Sequence, residues 1–148
     1  MKSKLTKWQQ CEIKLNSQAI HIVYDAIKLI EKGWTKKRYA GISVPKKRKV
    51  YNVDFAHPRA NVFCLVGALR RAQFILRYNN DAYQYAEKAC ELICTEILKT
   101  AGLPVGFYDA NLQLNDRKQT KKSDIITALH GAHFLLAQRR GYTHLLTR

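Results

Sequence analysis

One cysteine, two histidines and an Asn-Asp pair are the residues with which this chain could do covalent chemistry. In a cysteine-dependent hydrolase, Cys64 would attack, His130 or His133 would take the thiol proton, and Asn115 or Asp116 would orient the imidazole. A reactive thiolate wants the first turn of a helix, where the dipole lowers its pKa. Pro58 suits the first helical position of the apolar run Ala56–Tyr78, and a helix begun there carries Cys64 into its second turn, too deep for that effect. A small buried thiol beneath Gly67 is the plainer reading. Cys90 and Cys94 are four residues apart and His130 and His133 three, so each pair shares a helix face and two facing helices could hold tetrahedral zinc. Structural zinc more often uses Cys-x-x-Cys knuckles, and no metal or other cofactor is expected. Nor does the chain contain a P-loop, a Rossmann glycine pattern, a nucleophile elbow or an acid-base carboxylate pair.

Charge is the compositional anomaly. Lys and Arg number 26 against 11 Asp and Glu, a formal net charge of +15 in 148 residues. A field of that size favours polyanions as partners. The candidate phosphate contacts are Lys36, Lys37, Arg38, Lys46, Lys47, Arg48 and Lys49, with Trp34, Tyr39 and Tyr51 close enough in sequence to stack on bases. Arg70, Arg71 and Arg77 on one edge of the central helix, or Arg139 and Arg140 near the end, would extend the track. Pro45–Val50 reads like a monopartite nuclear localisation signal, but short basic runs arise readily in so basic a chain, and a solvated loop is the simpler account. Acidic residues gather instead on the third predicted helix as Asp81, Glu87, Glu91 and Glu96.

Four helices are needed to position these residues. The spacing predicts a first helix from a cap at Asn16 or Ser17, with Ile20, Val23, Tyr24, Ile27 and Ile30 inward, stopping at Gly33. The preceding residues, with Trp8, Cys11, Ile13 and Leu15, form a short turn or strand. Strands near Trp34–Tyr39 and Lys49–Val53 make a hairpin-like insert with the lysines in its loop. The central helix follows, with Val62, Val66, Leu69, Ala72, Gln73 and Leu76 as its stripe and Leu65, Ala68 and Ile75 widening it. Gly67 within it invites close approach by another helix. A third helix, from a cap near Asn79–Asp81 to Gly102, carries Ala86, Ala89, Cys90, Ile93, Ile97 and Leu98. Leu103–Gln119 reads as an irregular connection in which Asn115 and Asp116 form an Asx turn. Thr120 or Ser123 caps a last helix that runs to Gly141, with Ile125, Ile126, Leu129, Ala132, His133 and Leu136 inward. The expectation is a mainly α fold: one helical domain over 1–148, its first fifteen residues undecided and a tail from 142.

Gly33-Trp34, the run Cys64-x-x-Gly67-Ala68-Leu69 after Pro58 and Asn61, and the later Asn115-Asp116 together resemble a family of small uncharacterised bacterial and phage proteins, a domain of unknown function. Leu114 stands where that family's pattern has Trp. The resemblance covers roughly residues 17 to 137 and implies a compact helical domain with no assigned mechanism.

No apolar run reaches the roughly 20 residues of a membrane span, and Cys11, Cys64, Cys90 and Cys94 fall in or near predicted helices, as reduced cysteines of a cytoplasmic protein would. The leading expectation is a basic, non-enzymatic module binding nucleic acid through phosphates. The alternatives are an accessory protein docking on an acidic host protein or nucleoprotein complex, and the Cys64 hydrolase.

Overall fold

The computed structural model describes residues 4–79, 86–104 and 108–146. In chain order these form α1 (Lys7–Lys32), β1 (Ala40–Val44), β2 (Lys49–Val53), β3 (Val62–Phe63), α2 (Leu65–Asn79), α3 (Ala86–Thr100), α4 (Tyr108–Asp116) and α5 (Lys122–Leu146). The fold is mainly helical, with five helices and a three-stranded antiparallel sheet among the described residues.

α1 starts ten residues before the predicted cap. Thr6 and Gln9 form a capping box: the Thr6 hydroxyl accepts from Gln9 N at 3.1 Å and Thr6 N donates to Gln9 Oε1 at 2.9 Å. Asn16 is therefore a buried residue inside the helix, and Trp8, Cys11, Ile13 and Leu15 are helical. The C-terminus matches the expectation, since the Gly33 N–H closes the last turn on Leu29 O. Ala19, Ile22, Val23, Ala26 and Ile30 are almost wholly buried, and α1 packs on α2, α3 and α5, so it is the helix around which the core is assembled.

The central helix is shorter than its apolar run. Val62 and Phe63 pair with Gly41 and Ala40 as β3, and Phe63 is also tied to the end of α1 through Phe63 N to Gly33 O and Thr35 N to Phe63 O. Pro58 lies in a turn after Asp54 and is not a helix start. The apolar run is continuous because a buried strand and a buried helix abut, and periodicity alone cannot separate the two. Gly67 is indeed a point of close approach, but what approaches is strand-end backbone: a Cβ there would lie 1.7 Å from Tyr39 O. Ile75, placed in the inward stripe from spacing, is 40% exposed.

The insert is a hairpin, with its first strand at Ala40–Val44 instead of Trp34–Tyr39. Strand order is β2-β1-β3, and β2 pairs in the predicted place, Lys49 opposite Val44 and Tyr51 opposite Ile42. One short turn, Pro45–Lys47, joins the strands, closed by Arg48 in the left-handed region at φ 52° with its N–H on Pro45 O.

The connection after α3 is not irregular: it contains α4, which packs on α2 and α3. α5 begins at Lys122 and continues past Gly141 to Leu146. Its first turn is held by Lys121 N donating to Asp124 Oδ2 at 2.8 Å, while Thr120, one of the predicted caps, donates its hydroxyl back to Leu114 O. Ile125, Leu129, Ala132 and Leu136 are buried as predicted. Residues 80–85, with the predicted cap at Asp81, lie outside the described residues.

Candidate nucleic-acid interface and the amide hub behind it

Asn115, at the end of α4, has no exposed surface and uses its whole side-chain amide. Oδ1 accepts from Trp34 Nε1 at 2.8 Å and from Leu65 N at 3.0 Å; Nδ2 donates to Thr35 O at 3.1 Å and to Asp116 Oδ1 at 3.0 Å. Two lone pairs and two N–H groups are the full capacity of an amide, so the residue is saturated. The Leu65 bond satisfies one of the free N–H groups at the start of α2, a capping role supplied from a distant helix. Asp116 Oδ1 also accepts from Lys37 N at 2.9 Å, holding Lys37 in its left-handed conformation at φ 60°. The predicted Asx turn leading into the last helix is therefore a tertiary clamp joining the 34–37 loop, α2 and α4.

This clamp draws basic residues from both ends of the sequence to one place. The Lys36 ammonium donates to Arg117 O, approaches Lys118 O at 3.5 Å and lies 5.4 Å from the Trp34 ring centre. A cation beside the carbonyls that follow a helix C-terminus is favourably placed. Lys122 reaches Glu31 O at 2.7 Å. The Trp34 indole N–H is thereby engaged by the fold, and its ring is partly buried against the core.

The candidate phosphate contacts fall into two groups. Lys46, Lys47, Arg48 and Lys49 stand exposed together on the hairpin turn and the start of β2, and Lys37 is exposed beside Asp116. Lys36 is engaged as above, Arg38 Nη1 donates to Val50 O at 2.8 Å, and Arg71 Nη1 bridges Phe55 O and His57 O at 3.2 Å each, so these three serve the fold. Arg70 lies half-buried beside Phe55, Gln73 and Phe74. Arg139 and Arg140 belong to α5 and Arg77 to α2, with side chains outside the described residues. Tyr39 and Tyr51 are 48% and 45% exposed.

Cys64 is where a reactive thiol would want to be, and its surroundings oppose reactivity. Because α2 begins at Leu65, Cys64 stands immediately before the first turn instead of in the second, and its Sγ accepts from Gly67 N at 3.2 Å. Burial outweighs those backbone N–H groups and pushes the thiol up to about 11. Among the described residues no hydrogen bond joins Cys64 to His130 or His133, which lie on α5, the first exposed and the second half-buried. No group of three His, Cys, Asp or Glu side chains among those residues is arranged to hold a metal ion; Cys90's side chain lies outside them. Cys11, Cys64 and Cys94 are not in disulfide bonds.

A helical domain with a small antiparallel sheet wedged against the start of its central helix, clamped by one saturated amide, is the class of protein these features define. The chain belongs to a family of unknown function, DUF6197, which it matches over residues 16–134. No curated protein and no solved structure matches it. The match takes in the Trp34 loop, the basic hairpin, Cys64 and the Asn115-Asp116 clamp. No helix among the described residues is long and apolar enough to cross a membrane.

Proposed function

We propose that the protein is a small basic binding module, without catalytic function, that engages nucleic acid through phosphate contacts made by the hairpin turn. One observation carries the reading: Lys46–Lys49 are exposed together at the tip of a hairpin, while the fold engages Lys36, Arg38 and Arg71 elsewhere. From Gly33 to Val53 the chain has no acidic residue, with Glu31 and Asp54 flanking the segment. Four adjacent cations held by a closed turn repel one another, a cost that a polyanion relieves by neutralising them as its own counterions are released. A contact of this kind is to the backbone of the nucleic acid and steeply salt-dependent.

The test is fluorescence anisotropy with short DNA and RNA oligonucleotides at roughly 50 and 200 mM salt, for the natural chain and for the variant with Lys46, Lys47, Arg48 and Lys49 all replaced by Glu. Binding that weakens steeply with salt and disappears in the variant supports the proposal. Absence of binding at the lower salt rejects it, and retention on an acidic protein after nuclease treatment would then favour a protein-docking role.

A further inference from the structure

Beside the basic turn, a groove of about 440 Å³ opens between the end of α1 and the sheet. That volume falls in the range of small-ligand pockets, roughly 300–1,000 Å³. Its lining combines the apolar Leu29, Ala60 and Val62 with Lys32 from α1 and Ser43 and Pro45 from the hairpin. Pro45 leads directly into the exposed Lys46–Lys49, so the groove has Lys32 in its lining and the basic turn next to it in sequence.

An added peptide strand is poorly suited to this sheet. On the groove side, Asn61 occupies the Ser43 backbone, with Ser43 N donating to Asn61 Oδ1 at 2.7 Å and Asn61 Nδ2 to Ser43 O at 3.2 Å. On the outer side, Arg38 takes the Val50 carbonyl at the β2 edge. Both margins have part of their main-chain hydrogen bonding already used, so an occupant must be recognised through faces and charges. Nucleic-acid bases offer flat apolar faces beside an anionic backbone. In a duplex those faces are stacked and paired; in a single strand they are free to lie on a protein surface.

We propose, resting on the phosphate-binding reading above, that the partner is single-stranded nucleic acid whose unpaired bases enter this groove while Lys32 and Lys46–Lys49 hold the flanking phosphates. Trp8 is exposed in the first turn of α1, at the opposite end of that helix from Leu29 and Lys32. It serves as an off-site control.

The experiment compares three probes of equal length by anisotropy at about 50 mM salt: a single strand, the same strand carrying abasic sites, and the duplex. Each is titrated into the natural chain and into Ala60→Phe, which fills the groove, and Trp8→Ala. The expected result is that the natural chain favours the base-bearing single strand over both other probes by about tenfold, that Ala60→Phe abolishes this preference, and that Trp8→Ala keeps it. Circular dichroism checks that Ala60→Phe folds; if it does not, methyl shifts of Leu29 and Val62 in the natural chain decide, moving with base-bearing and not with abasic strands. Equal affinity for the three probes, with loss only in the four-fold Glu variant, overturns this inference and leaves phosphate binding standing. Competition by poly-glutamate as effective as that by the single strand overturns it, as does absence of binding, which removes the phosphate reading too.

Discussion

The Asn115 clamp and the hairpin turn are both polar and both lie within the family match, yet they are built on opposite terms. At the clamp every hydrogen-bonding position of the amide is occupied, and the residue has no exposed surface. At the turn four cationic side chains stand in solvent, and the turn itself is closed by Arg48 N on Pro45 O. A saturated buried group contributes to the fold and has nothing left for a ligand; an exposed cation contributes little to the fold and keeps its charge for one. Lys36 and Lys46 carry the same charge ten residues apart and fall on opposite sides of that division.

The largest expected stability effect falls beside the clamp. Gly67→Ala puts a methyl group where Tyr39 O already lies, and separating sheet from helix should cost about 3 kcal/mol or more, read as a fall in urea midpoint. Asn115→Ala leaves the Trp34 indole N–H and the Leu65 N–H buried without their acceptor. It should cost about 2–4 kcal/mol, and an unchanged midpoint would show that the amide is dispensable.

Cys64 gives a prediction in pH. Its folded value of about 11 lies above the ordinary thiol value of 9.0, so folding favours the neutral form. The stability it contributes is fully present below pH 9 and is lost as pH rises from there through about 11, on the order of 2–3 kcal/mol in all. Cys64→Ala should lack that slope. Native-state alkylation of Cys64 should be slow and should accelerate only as denaturant opens the chain.

The smallest effect on stability should come from the hairpin. Replacing Lys46–Lys49 by Glu should change the unfolding free energy by no more than about 0.5 kcal/mol while removing salt-dependent oligonucleotide binding. Should that variant unfold, the division between the two regions would fail.

Much of the helical framework is legible in the residues alone. Val23, Ile27 and Ile30 on α1, the Ile125–Leu136 stripe and the stop at Gly33 follow from spacing and from glycine at a helix end, whereas Tyr24, placed inward by the same spacing, is 52% exposed and Ile22 takes the core. The start of α1 was legible as well, in Thr6-x-x-Gln9, but Asn16 and Ser17 are equally good cap residues by type, and only the continuing helix shows that they are interior. The start of α2 was not legible, because Val62 and Phe63 are as apolar in a strand as in a helix. α4 is short and weakly patterned, and Asn, Asp and Gln within it favour turns wherever local sequence decides.

By itself, the sequence determined the charge of the chain, the clustering of its lysines and the apolar periodicity of its longest helices, since these depend on residue type and local spacing. Tertiary structure alone decided which basic residues are engaged, that Cys64 precedes a helix and is nevertheless buried, and that Asn115 binds Trp34 and Leu65. The physical reason is sequence distance: Asn115 is 81 residues from Trp34 and 50 from Leu65, and an amide's partners at that range are set by how the helices pack, which no local pattern encodes.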